Sequence, residues 1–162
     1  MKRFLAVVLM LLTLCSCSGE KQQKLQLGGI TFIAAVSYYN ENYEFEGRLK
    51  KDGSLEAKIT APKELEGLNF TLNGESVQVE YKGLTYTPVE GSMPFSAVME
   101  GLYGPLRELV LSDSATSDKD GRVVDADGKF TLTVSPTGLP QKLEIPNSSF
   151  EVRFYNVSVE EG

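Results

Sequence analysis

Ser92-Met93-Pro94-Phe95-Ser96-Ala97-Val98-Met99-Glu100-Gly101-Leu102-Tyr103-Gly104-Pro105-Leu106-Arg107-Glu108-Leu109-Val110-Leu111 decides the fold. Phe95, Val98, Met99, Leu102, Leu106, Leu109 and Val110 recur three and four residues apart. At about 100° per residue they make one apolar stripe, which predicts an amphipathic helix. Ser96, Glu100, Arg107 and Glu108 fall mostly off it. Ser92 suits the N-cap, where a hydroxyl accepts from an orphan backbone N–H. Pro94 suits the first turn, where its missing N–H costs nothing. Gly104-Pro105 predicts a kink or two short helices, because proline removes a helical hydrogen bond and clashes with the preceding turn. Such a helix must lay its stripe on something apolar.

The only partner on offer is a sheet. Ile30–Tyr39 is rich in β-branched and aromatic residues and reads as a strand. Tyr43, Phe45, Gly47 and Leu49 alternate with Glu44, Glu46, Arg48 and Lys50. A period of two marks a strand with one buried and one wet face. Lys51-Asp52-Gly53 turns into Leu55, Ala57 and Ile59, and Pro62 ends that strand. Leu68, Phe70 and Leu72 lead to the hairpin signal Asn73-Gly74, then Val77, Val79 and Tyr81, then Leu84–Thr87.

Beyond the helix, Ser112–Gly121 reads as a polar loop and Arg122–Asp125 as a short strand. Phe130, Leu132 and Val134, then Leu143 and Ile145, continue the alternation. The last strand carries Phe150, Val152 and Phe154 and shifts parity to Tyr155, Val157 and Val159, which predicts a bulge. The expectation is an α+β fold, mostly β: a curved antiparallel meander of nine or ten strands, an incomplete barrel with one principal helix on its concave face.

The start of the chain reads differently. Met1-Lys2-Arg3 precedes the apolar run Phe4–Leu14, too short for the ~20 residues that span a bilayer. Residues 1–16 therefore read as an export signal. Leu14-Cys15-Ser16-Cys17 resembles the lipobox of bacterial lipoproteins. That resemblance implies cleavage before Cys17, a diacylglyceryl group on its sulfur, and a protein held on the extracytoplasmic face of the cell membrane by its lipid anchor. Residues 17–27 read as lipidated cysteine and polar tether, and 28–162 as a single domain.

Removing Lys2 and Arg3 with the signal leaves 14 basic against 22 acidic residues. A negative balance disfavours nucleic acid as a partner. The chain has no histidine, and a lipidated Cys17 leaves no thiol, so imidazole- and thiolate-based sites are excluded. Asp118-Lys119-Asp120-Gly121 and Asp125-Ala126-Asp127-Gly128 place glycine too early for a calcium loop and read as hairpin turns. No catalytic residue, metal ligand or cofactor is assigned, and the expectation is a protein that is not an enzyme.

Pro62 with Leu65-Glu66-Gly67-Leu68, Asn73-Gly74, Tyr81-Lys82-Gly83-Leu84, the helix at 94–111 and Phe150-Glu151-Val152-Arg153-Phe154 together resemble the lipoprotein-carrier superfamily, the LolA/LolB-like fold. The resemblance implies a half-barrel that takes a lipid, an acyl chain or a lipoprotein beneath its helices. Phe95, Val98, Met99, Leu102 and Leu106 are then the candidate ligand-binding stripe. A true shuttle is untethered and carries several lid helices, whereas this chain has Cys17 and one helix. The alternative is an interaction module docking an exported partner, such as a cell-wall or spore-associated enzyme.

Overall fold

Period-two alternation becomes strand wherever it occurs in this chain. The computed structural model describes residues 23–74, 76–88, 96–112, 116–124 and 127–160. The expected signal (1–16), Cys17 and the first residues of the tether lie outside these, as do Ser92, Pro94 and Phe95. The elements in order are β1 (Gln23–Lys24), β2 (Ile30–Tyr38), β3 (Glu41–Leu49), β4 (Leu55–Ala61), β5 (Asn69–Asn73), β6 (Ser76–Tyr81) and β7 (Leu84–Tyr86). Helix α1 (Ser96–Leu111) follows, then β8 (Thr116–Ser117), β9 (Arg122–Val124), β10 (Thr131–Val134), β11 (Pro140–Ile145) and β12 (Phe150–Val159).

Ten strands form one open antiparallel sheet in the order β7-β6-β5-β4-β3-β2-β12-β11-β10-β9. This corrects the simple meander. Two meanders, β2–β7 and β9–β12, are joined by pairing of the first long strand with the last, Ile30 opposite Val159 and Tyr38 opposite Phe150. Sequential neighbours pair within each half. The exception is the connection that leaves the edge strand β7, runs through α1, and returns at the opposite edge strand β9. The helix therefore lies in sequence between the two edge strands of the open sheet.

One face of the sheet is core. Ile30, Phe32, Ala34 and Val36 of β2 face Phe45 and Leu49 of β3, Leu55 and Ile59 of β4, and Phe70 and Leu72 of β5. Phe150, Val152 and Phe154 of β12 complete the same cluster. Gly47 lies opposite Phe32, whose ring covers it and packs edge-on against Phe154 at 5.3 Å between centroids. The predicted bulge in β12 falls between Tyr155 and Ser158. Within it Val157 packs on the core, while Tyr155 before it and Val159 after it are exposed.

Three local expectations shift. The helix is continuous through Pro105, not two short helices. Asn73 pairs with Ser76, so that hairpin turns one residue later than the Asn-Gly signal suggests, with Gly74 at positive φ. The polar segments on either side of the domain are also tied together: Gln23–Lys24 of the expected tether pairs with Thr116–Ser117 of the expected loop. The folded unit thus begins before residue 28, and Leu27 is a core residue.

Candidate functional site

The site the sequence nominates is the interface between α1 and the hollow of the sheet. Val98, Leu102 and Leu106 are fully buried there, and Met99 is 3% exposed. Phe95 lies outside the described residues. Leu109 is buried and Val110 half-buried, so the stripe runs the length of the helix. Gly101 is where the helix comes closest to β12: a Cβ there would sit 2.8 Å from the Phe150 ring. Near the other end Val110 approaches Gly28, and Arg107 and Leu111 approach Gly53 in the β3–β4 turn.

Tyr103 belongs to this interface and was not assigned to the stripe. It is 6% exposed, and its hydroxyl accepts a hydrogen bond from the Gly74 N–H at 2.9 Å, tying α1 to the β5–β6 turn. Its position four residues after Met99 and three before Leu106 was the available signal.

Of four concavities on the described surface, none is lined by Val98, Met99, Leu102 or Leu106. One of about 580 Å³ lies against the outward-facing side chains of β2–β5, among them Thr31, Glu46, Arg48, Glu56 and Lys58. One of about 650 Å³ lies between the β5–β6 turn and the flank of α1, at Gly74, Tyr103, Gly104 and Arg107. The stripe itself packs as core, so any ligand that uses this face must displace it.

The concave apolar face continues beyond the helix. Tyr86 pairs with Val79, whose buried side chain fixes the face, and Leu84 lies two residues away on the same side. Leu84 is nevertheless 74% and Tyr86 45% exposed. The β7 edge thus carries inward-type residues that remain partly or largely exposed.

Charged groups elsewhere serve local structure. Asp118 accepts from the backbone N–H of Arg122 and, more weakly, from that of Asp120, which holds its carboxyl below the usual range within this turn. Lys142 bridges Glu144 and Glu151 on the outward side of β11 and β12, and exposed pairs of this kind contribute little to stability. Among the described residues no group of three His, Cys, Asp or Glu is placed to hold a metal ion. No helix among them is long and apolar enough to cross a membrane.

No family model matches the chain, and no curated protein matches its sequence. Its architecture does have a solved counterpart. A LolA superfamily protein from Nitrosomonas europaea superposes with a TM-score of 0.51 over 86% of this chain and 89% of its own, at 8% identity. The fold is LolA-like. At that identity the likeness concerns backbone architecture alone, so no side chain of the LolA-like half-barrel is assigned a role by it. The residues of α1 and the β7 edge stand on their own geometry.

Proposed function

We propose that this protein is a membrane-anchored envelope lipoprotein whose half-barrel binds a hydrophobic ligand, an acyl chain, a lipid or the lipid of another lipoprotein, in place of the α1 stripe. One observation carries the proposal: the sheet is open, and the single described helix that fills its hollow lies on the connection between its two edge strands. A helix in that position leaves the hollow without breaking any pairing of the ten-stranded sheet.

Magnitudes set the kind of ligand. Exposing four buried apolar side chains costs roughly 6–12 kcal/mol, at about 1.5–3 kcal/mol each. An acyl chain recovers about 0.8 kcal/mol per buried CH₂, so roughly eight to fifteen methylenes offset the loss. A small polar ligand does not. Met99 adds an adaptable surface for such a chain. The lipobox-like Leu14-Cys15-Ser16-Cys17 supports the anchor, with Cys17 carrying the lipid.

Native mass spectrometry of the chain beginning at Ser18, purified gently from its host, tests the reading. A co-purifying adduct of lipid mass is expected. A bare mass contradicts it and favours the second reading, docking of an exported protein, which Leu84 and Tyr86 on the exposed β7 edge support through strand addition. Crosslinks from those two residues would then identify the partner.

A further inference from the structure

The expected tether contains a strap. Gln23–Lys24 pairs with Thr116–Ser117, directly beyond the C-terminus of α1. The Gln26 N–H donates to the Gly138 carbonyl at 3.0 Å. Leu25 packs against the core and Leu27 is 3% exposed within it. The Gly29 N–H donates to the Leu49 carbonyl, where β2 begins. Between these points the segment runs along the last turn of the helix: Lys24, Leu25, Leu27 and Gly28 face Leu109 and Val110 across a recess of about 130 Å³.

The β10–β11 turn is shaped to let this segment through. A Cβ on Gly138 would lie 2.4 Å from the Lys24 carbonyl oxygen and 3.3 Å from the Gln26 nitrogen. Only glycine leaves room for the strap, and at φ 82 only glycine adopts the backbone without strain. The hold is light at its outer end. Each strand of the β1–β8 pair has two residues, and among the described residues the buried Ser117 hydroxyl has no hydrogen-bond partner. An unsatisfied buried hydroxyl weakens the arrangement that buries it.

We propose that residues 23–29 are a releasable strap that pins the C-terminal half of α1 into the half-barrel, so that peeling the strap frees the helix. Cys17 precedes the strap in the sequence by only five intervening residues, 18–22. A pull on a lipid anchor there loads the strap before any other element. The inference rests on the lid reading only for what the freed helix admits; the coupling of strap to helix stands or falls without a ligand.

Hydrogen exchange on the full chain, with no ligand added, tests it. Leu27→Ala removes the apolar hold, and Gly138→Ala drives a methyl group into the strap backbone. Both are expected to speed exchange of peptides covering 103–111 by tenfold or more and to leave 30–36 unchanged. Gly128→Ala is the control, because Gly128 shares the positive φ but a Cβ there meets nothing within 4 Å. Unchanged exchange at 103–111, a rise matched at 30–36, or an equal effect from Gly128→Ala would overturn the proposal.

Discussion

Tyr43 places a phenol at the rim of the core, where its hydroxyl donates to the Glu41 carboxylate. That bond, then burial, then the negative charge of Glu41 push its pKa up to about 12. A raised folded-state pKa contributes stability that is complete below the unfolded value of about 10 and disappears as pH rises through the folded one. Urea midpoints measured from pH 9 to 12 should therefore fall through this window, and Tyr43→Phe should flatten the part due to this group. Gly47 makes the opposite point, that a missing side chain can be structural. Its Cβ would sit 2.5 Å from the Phe32 ring, so Gly47→Ala should cost about 1–3 kcal/mol in a urea titration with an unchanged m-value. Side-chain detail of this kind was not legible in the sequence. Gly47 continued the alternation of β3 without revealing that a ring from the neighbouring strand covers it. Tyr103 was passed over because a hydroxyl on an apolar stripe looks like an exception until its acceptor role towards Gly74 is seen.

At the scale of elements, alternation located β3 to β6 and β10 to β12 to within a few residues, because each has one face turned to the core and one to water. It missed β1 and β8, whose two-residue strands carry no periodic signal and exist only through their mutual pairing. The helix was legible from its stripe, and of the two alternatives read from Gly104-Pro105 the pair of short helices is not what forms, since α1 runs on across Pro105. Proline at that position still deprives the Gly101 carbonyl of its helical donor. Pro105→Ala restores the donor and should stabilise the chain by up to about 3 kcal/mol, read from thermal or urea unfolding. A less stable variant would mean that the proline ring itself packs productively.

The whole molecule is an open ten-stranded sheet with one described helix packed on its apolar face. Its LolA-like architecture was recognisable from turn signals, alternation and one mid-chain helix. The β2–β12 pairing was not, because local pattern does not say which distant strands meet. Nor does pattern distinguish a helix that is permanent core from one that gives way, since both bury the same stripe. Motion of α1 therefore tests the account most directly. Glu108 on the helix and Lys58 on the outward side of β4 are both exposed, and the chain beginning at Ser18 has no cysteine of its own. Spin labels at Glu108→Cys and Lys58→Cys report the helix-to-sheet distance by electron double resonance. The account predicts a distance that lengthens as a diacylglyceryl lipopeptide is added and saturates with it. An unchanged distance at saturating lipopeptide would contradict it, leaving α1 as fixed core.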